Sequence, residues 1–133
     1  MRVDELMRTE LKVVEPDTTI EDAVVILADG HVSALPVVDP RGRLIGVLST
    51  TDILEAEADC ESPEDRERLF ENTTVRDIMT ARPVTVMPDA DVREAARQML
   101  YFEIHRVFVE DEGRLVGVLS QSDVVRGVAT AKL

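Results

Sequence analysis

Two short stretches of the chain place a serine three residues before an aspartate. In VLSTTDIL the pair is Ser49 and Asp52, and in VLSQSDVV it is Ser120 and Asp123; we call them box one and box two. Such a pair can cap a helix, because the hydroxyl and the carboxylate accept hydrogen bonds from N–H groups of the first turn. It can also bind a sugar phosphate, since a carboxylate accepts from two vicinal hydroxyls and a helix N-terminus attracts anions. The spacing alone favours the cap.

The segments around the two boxes repeat one another. At a shift of 72 residues, VDELM (Val3–Met7) aligns with VRDIM (Val75–Met79), and VVEPDTTIEDAV aligns with TVMPDADVREAA. At a shift of 71, GRLIGVLSTTDIL matches GRLVGVLSQSDVV, with one residue dropped in the turn between the two blocks. The chain is therefore an internal duplication.

Each copy predicts the element order β-α-β-β-α. The predicted strands are LKVV, ALPVVD and RLIGVLS in the first copy, and PVTV, RVFVED and RLVGVLS in the second. Thr18 or Thr19 is expected to cap the first helix. In the first helix of each copy, apolar residues recur with the spacing of one buried helical stripe. They are Ile20, Ala23, Val24 and Leu27 in the first copy, and Val92, Ala95, Ala96 and Met99 in the second. The predicted fold class is α/β (α+β), with two repeats related by a pseudo-twofold axis.

The predicted domains are repeat one at 1–54, an acidic connector at 55–72 and repeat two at 73–133. The connector carries eight acidic and two basic side chains, and repeat two carries nine acidic and eight basic ones. Ser62 followed by Pro63 predicts a helix that begins there and ends near Glu71.

Composition excludes several classes of function. A net charge of −12 offers no basic face for nucleic acid. No apolar run is long enough to span a bilayer, and the amino terminus has no apolar core of the signal-peptide kind, so a cytoplasmic protein without membrane contact is expected. Cys60 is the only cysteine, and with two histidines no metal site is expected.

The two copies, each with a strand of the LPVVD type, a glycine turn and a G-apolar-apolar-Ser-x-x-Asp block, resemble a tandem CBS-domain pair, or Bateman module. The resemblance covers residues 1–54 and 73–130, with Phe108 where the pattern usually has proline. It implies a regulatory module that binds AMP, ADP, ATP or S-adenosylmethionine in the cleft between the repeats and signals to an unknown protein partner. It also implies a homodimer. No cofactor is expected to be obligatory, and a nucleotide is expected with or without Mg²⁺.

The resemblance assigns the aspartate of each box to ribose hydroxyls and the serine to ribose or phosphate. In repeat two, the preferred site, basic groups are expected near the phosphates and apolar ones near adenine, which gives Arg82, Val84, Thr85, Ile104, His105, Arg106, Val107, Ser120 and Asp123. The weaker site in repeat one comprises Lys12, Val13, Val32, Ala34, Leu35, Ser49 and Asp52. Glu10 occupies the place that Arg82 has in repeat two, so the first site is expected to be empty or to take a less anionic ligand. For each basic residue the alternative is a solvated surface charge, and for each apolar one it is core packing.

Two other functions remain open. One is a dimerisation scaffold whose pockets are vestigial. The other is an enzyme, although no nucleophile, base and orienting group stand at a recognisable spacing.

Overall fold

The computed structural model describes residues 1–130 and has mixed α/β architecture, as predicted; residues 131–133, the end of the predicted second repeat, lie outside the described residues. A 3₁₀ turn at Val3–Glu5 opens the chain. The helices are α1 (Ile20–Gly30), α2 (Thr50–Ala58), α3 (Pro63–Asn72), α4 (Val75–Ile78), α5 (Val92–Phe102) and α6 (Gln121–Ala129). The strands are β1 (Ala34–Val38), β2 (Leu44–Ser49), β3 (Thr80–Ala81), β4 (Thr85–Val86), β5 (Arg106–Asp111) and β6 (Arg114–Ser120). No helix within residues 1–130 is both long and apolar enough to span a membrane.

The chain forms two compact units whose limits differ from those of the repeats. Unit one combines Met1–Leu11 with the described residues from Pro83 onward, and unit two is Lys12–Arg82. Unit one therefore combines the leading segment of repeat one, residues 1–11, with the rest of repeat two. Unit two combines the rest of repeat one with the connector and the leading segment of repeat two, residues 73–82. The chain passes from one unit to the other at Leu11–Lys12 and at Arg82–Pro83.

Each leading segment is held by the same contacts in its own unit. In unit one, Val3 is fully buried and the backbone of Arg8 pairs with Val118 of β6. In unit two, Val75 is fully buried and β3 pairs antiparallel with β2, with Thr80 opposite Val47. Burial of these valines and the added strand contacts explain why the segments belong to the units in which they lie.

Within residues 1–130, each unit has one three-stranded sheet. In unit two the order is β1-β2-β3, and in unit one it is β4-β5-β6 with β4 parallel to β5. The predicted strand PVTV shortens to β4. The predicted strand LKVV is wrong: only Val14 is buried and bridges Val37, while Lys12 and Val13 face solvent and make no ladder.

The predicted helices are confirmed with small changes of boundary. Thr19 caps α1 by accepting a hydrogen bond from the Asp22 N–H at 3.3 Å. Of the predicted stripes, Ile20, Ala23 and Leu27 of α1 and Val92, Ala95 and Met99 of α5 are buried, whereas Val24 and Ala96 are only partly buried. Ser62 caps α3 as expected, whereas α2 continues to Ala58, four residues past the predicted end of repeat one.

Candidate functional site

Both boxes form capping boxes at the point where a strand passes directly into a helix. In box one, Ser49 Oγ accepts from the Asp52 N–H at 3.1 Å, and Asp52 Oδ2 accepts from the Ser49 N–H at 2.9 Å. In box two the corresponding distances, between Ser120 and Asp123, are 3.2 and 2.9 Å. The cap that the spacing predicts is therefore confirmed in both copies.

The second carboxylate oxygen distinguishes the boxes. Asp123 Oδ1 accepts from Arg8 Nε at 3.1 Å and from an Arg126 terminal nitrogen at 2.9 Å, and its side chain has no exposed surface. Asp52 Oδ1 accepts instead from the Thr80 hydroxyl at 3.1 Å, and Asp52 is only partly buried. Box two thus holds a buried carboxylate between two cations, and box one holds a more accessible carboxylate with one neutral partner.

The environment of Asp123 keeps it ionised. Burial is the largest influence and by itself raises the pKa of Asp123, because the charged form loses its hydration. Hydrogen bonds from the Ser120 N–H, Arg126, the Ser120 hydroxyl and Arg8 oppose this and together lower the pKa below its ordinary value. The carboxylate remains charged and fully bonded at neutral pH.

Two of the expected basic residues of repeat two, His105 and Arg106, lie beside box two. Arg106 stands opposite Ser120 in the β5–β6 register. The carbonyl of His105 accepts from the Gln121 N–H at 2.9 Å, and its ring Nδ1 lies 3.3 Å from Gln121 Oε1. Arg106 is half-buried, which lowers the pKa of its guanidinium. Unit one therefore brings His105, Arg106, Ser120 and Asp123 to one end of its sheet.

At the equivalent end of unit two, the neutral residues Ser33 and Ala34 take the places of His105 and Arg106. Ala34 stands opposite Ser49 in the β1–β2 register, and the Ser33 carbonyl accepts from the Thr50 N–H at 2.9 Å. Lys12, Val13 and Val32, the other polar and apolar candidates of repeat one, are exposed on this unit. Arg82, expected in the second site, is the last residue of unit two and has a left-handed backbone with a φ of 56°.

The apolar candidates differ in access. Leu35 and Val107 have no exposed surface and pack in the cores of their units. Val84 and Ile104 are partly buried against the core of unit one, and Thr85 is partly buried in β4. In the described conformation, side-chain contact with a ligand is open to these last three and closed to Leu35 and Val107.

Sequence reasoning missed the three residues that complete the boxes: Arg8, Arg126 and Thr80. Arg8 and Thr80 occupy matching positions, each directly after the methionine of the VDELM and VRDIM segments. Arg126 follows Asp123 at the i,i+3 spacing of a helical ion pair, and its counterpart in the first copy is Glu55. The repeat alignment and the helical spacing are the signals that would have identified them.

Comparisons with known proteins identify the family. The CBS domain family model matches residues 3–59 and 75–130. The chain is 30% identical over 146 aligned residues to the CBS domain-containing protein CBSX2, chloroplastic, of Arabidopsis thaliana, covering 94% of this chain and 61% of that relative. The chain thus spans about three fifths of the length of this curated relative.

Solved structures of CBS pairs have the same fold. The crystal structure of CBSX2 in complex with AMP superposes with a TM-score of 0.84 at 31% identity, covering 99% of this chain and 98% of that one. The CBS domain pair of protein MJ0100, in complex with 5′-methylthioadenosine and S-adenosyl-L-methionine, superposes with a TM-score of 0.78 at 26% identity, over 95% and 98% of the two chains. The chain belongs to the CBS-domain family and contains two CBS domains in tandem.

Proposed function

We propose that this chain is a regulatory module that binds an adenosine-containing ligand and transmits the resulting conformational change to a separate protein. The observation that carries the proposal is the pair of boxes, each of which sets a carboxylate at a helix N-terminus in a CBS domain. Related CBS pairs have been crystallised with AMP and with S-adenosyl-L-methionine. The proposal includes a cytoplasmic location, a homodimer and no catalysis.

Box two is the proposed site for a phosphorylated ligand such as AMP, ADP or ATP. His105 and Arg106 lie next to Ser120, and Arg8 and Arg126 add positive charge around Asp123. The three arginines and the N-terminus of α6 favour a phosphate group. A ribose hydroxyl that donates to Asp123 must displace one of its two arginine partners, and the displaced guanidinium then becomes available to the phosphate. Arg82, Val84, Thr85 and Ile104 remain proposed contributors, whereas the side chain of Val107 is fully buried and is not one.

Box one is the proposed site for a less anionic ligand, such as S-adenosylmethionine. Asp52 is partly exposed, and its Oδ1 accepts a hydrogen bond from the neutral Thr80 hydroxyl. A ribose can therefore approach this carboxylate without breaking an ion pair. Glu55, at the position that corresponds to Arg126, disfavours a phosphate here. Lys12, Val13, Val32 and Ala34 remain proposed contributors on this unit, whereas the side chain of Leu35 is fully buried and is not one.

A scaffold without ligand is the second candidate, and one observation favours it. Asp123 is fully buried and accepts hydrogen bonds on both oxygens, so box two is already complete as a structural element. In this alternative, Asp123 fixes the leading segment to unit one through Arg8 and has no ligand to bind.

Thermal unfolding with a panel of ligands separates the two candidates. AMP, ADP, ATP, with and without Mg²⁺, and S-adenosylmethionine are compared with GMP, which has the same charge as AMP and a different base. A ligand present at 100 times its Kd stabilises the chain by about 2.7 kcal/mol, which raises the melting temperature by several degrees. A shift with at least one adenosyl ligand and none with GMP is expected. No shift across the panel would favour the scaffold, and turnover of ATP in the same samples would contradict the non-catalytic assignment.

A further inference from the structure

The two boxes differ in the donor that the leading segment supplies to the aspartate. In unit one this donor is Arg8, whose Nε lies 3.1 Å from Asp123 Oδ1. In unit two it is the Thr80 hydroxyl, 3.1 Å from Asp52 Oδ1. Arg8 and Thr80 are equivalent positions of the repeat. A ligand that takes Oδ1 of the aspartate therefore meets a cation in one box and a neutral hydroxyl in the other.

Oδ1 is the oxygen of Asp123 that a ligand has to share, because Oδ2 belongs to the cap. Asp123 Oδ2 accepts from the N–H and from the hydroxyl of Ser120, both at 2.9 Å. Oδ1 accepts from the side chains of Arg8 and Arg126. A ribose hydroxyl can therefore bind Asp123 with the first turn of α6 intact if one of the two arginines leaves Oδ1.

Arg8 is the arginine that can leave. Arg126 lies three residues after Asp123 on α6, so the helix itself holds these two side chains together at 2.9 Å. Arg8 comes from a segment that pairs with β6 through an isolated backbone bridge at Val118, whereas the equivalent segment of unit two pairs with β2 as the strand β3. The Arg8 side chain is 61% exposed, so its guanidinium can move away from the carboxylate without losing its contact with water.

A phosphate at this end of α6 depends on side-chain donors. The N–H groups of Ser120 and Asp123 are used in the capping box. The N–H of Gln121 donates to the carbonyl of His105 at 2.9 Å. A guanidinium released from Oδ1 stands beside the same helical turn, where an anionic oxygen can replace the carboxylate as its partner.

We propose that Arg8 makes box two selective for phosphorylated nucleosides, because it exchanges its ion pair with Asp123 for one with the phosphate of the ligand. A nucleoside without phosphate offers Oδ1 a neutral hydroxyl and leaves the released guanidinium without an anion, so it binds weakly. A nucleotide replaces the lost ion pair with a new one. Box one, where Thr80 is the donor, makes no such distinction. The inference rests on the proposed function, since it names the ligand class that box two selects and the residue that selects it.

The test compares adenosine with AMP, which share a base and a ribose and differ in the phosphate. Calorimetric titration of the full chain is performed in an Asp52→Ala background, so that box two is the site that is measured. The ratio of the two Kd values reports the selectivity for phosphate, and factors that affect both ligands equally cancel in it.

Three variants in this background separate the role of Arg8 from that of a general positive charge. Arg8→Thr installs in unit one the residue type that unit two has at the equivalent position. Arg8→Lys keeps the charge. Arg2→Thr is the matched control, because Arg2 lies in the same segment, is 59% exposed and pairs with Asp4 instead. Both arginine side chains face solvent, so each variant should keep its fold, which circular dichroism verifies.

Without a change at Arg8, AMP should bind about tenfold more tightly than adenosine, or better. Arg8→Thr should tighten adenosine about tenfold, because no ion pair with Arg8 has to break, and should not tighten AMP. Arg8→Lys and Arg2→Thr should keep the preference for AMP. An unchanged ratio of Kd values in Arg8→Thr, or an equal change in Arg2→Thr, would overturn the inference.

Nuclear magnetic resonance of the Nε–H groups gives a second readout. The signal of Arg8, identified by its absence from Arg8→Lys, should shift on addition of AMP, while that of Arg2 should stay in place. An Arg8 signal that saturating AMP leaves unmoved would overturn the inference. AMP binding without these signs leaves the proposed function intact and overturns this inference alone. A folded chain that binds neither AMP nor adenosine at box two also overturns it, and the full ligand panel decides separately whether the proposed function fails.

Discussion

Arg8 and Asp123 form an ion pair with Nε and Oδ1 3.1 Å apart, although 115 positions separate them in the chain. The contact joins the leading segment of the first repeat to the capping box of the second. In unit two, Thr80 and Asp52 make the equivalent contact at 3.1 Å with a neutral hydroxyl in place of the guanidinium. The donor to the aspartate of the box is therefore a charged guanidinium in unit one and a neutral hydroxyl in unit two.

This difference predicts unequal effects of removing the two carboxylates. Asp52→Ala removes a helix cap and one hydroxyl partner and should cost about 1 kcal/mol of the free energy of unfolding. Asp123→Ala removes a cap together with hydrogen bonds from two arginines and should cost about 2–3 kcal/mol. Urea unfolding of the ligand-free chain provides both values. Asp123→Asn, which keeps an acceptor for the cap and removes the charge, should fall between them, and equal costs for the two alanine variants would contradict the asymmetry.

The lowered pKa of Asp123 predicts an acid dependence with a defined sign. Its folded pKa lies below the ordinary value of about 3.9, so its contribution to stability is complete above that pH and is lost as the pH falls through the folded pKa. Arg126→Ala removes one donor and should bring the folded pKa of Asp123 closer to its ordinary value.

The stability gap between wild type and Arg126→Ala should therefore be full at neutral pH and shrink below about pH 4. Urea unfolding at a series of pH values measures the gap. Arg97→Ala, which removes an exposed ion pair with Glu94 on α5, is the control and should give a much smaller gap. A gap for Arg126→Ala that does not change between neutral and acid pH would contradict the assignment.

Glycine is required at two positions of the sheets because a methionine side chain packs against the backbone there. A Cβ atom added at Gly117 would lie 2.6 Å from Met7 Sδ and 3.0 Å from the Arg8 carbonyl oxygen. At Gly46 the corresponding distances are 2.5 Å to Met79 Sδ and 3.0 Å to the Thr80 carbonyl oxygen. Gly117→Ala and Gly46→Ala should each destabilise the chain by about 1–3 kcal/mol through overpacking.

A double-mutant cycle identifies the methionine as the cause. Adding Met7→Ala to Gly117→Ala should cost less than the sum of the single substitutions, because the clash with sulfur is gone and only the carbonyl contact remains. Gly42→Ala serves as a contrast, since nothing lies within 4 Å of its added Cβ and its φ of 81° is the only source of strain. Strict additivity for Met7 and Gly117 would contradict this packing.

Local patterns predicted the helices, the hairpins and the capping geometry, because each depends on residues close in sequence. The assignment of the leading segments could not be predicted in the same way. Met7 and Met79 occupy equivalent positions of the two repeats, and so do Gly46 and Gly117. The repeat pattern therefore does not determine which methionine packs on which glycine. Arg8 was missed as a partner of Asp123 for the same reason. The predicted strand LKVV did not form, because Lys12 and Val13 remain exposed. Apolar residue types alone are therefore not enough to predict that a segment pairs with a sheet.

The most direct measurement of the central claim is calorimetric titration of AMP and of S-adenosylmethionine into the wild-type chain and the Asp52→Ala and Asp123→Ala variants. The proposed function predicts that the wild type binds at least one of them. It also predicts that Asp123→Ala, or Asp123→Asn if the alanine variant does not fold, loses AMP while Asp52→Ala keeps it. Loss of AMP binding in Asp52→Ala alone would reverse the assignment of the boxes. A folded wild type that binds neither ligand, and likewise neither ADP nor ATP, would contradict the account of this chain as an adenosyl-ligand sensor.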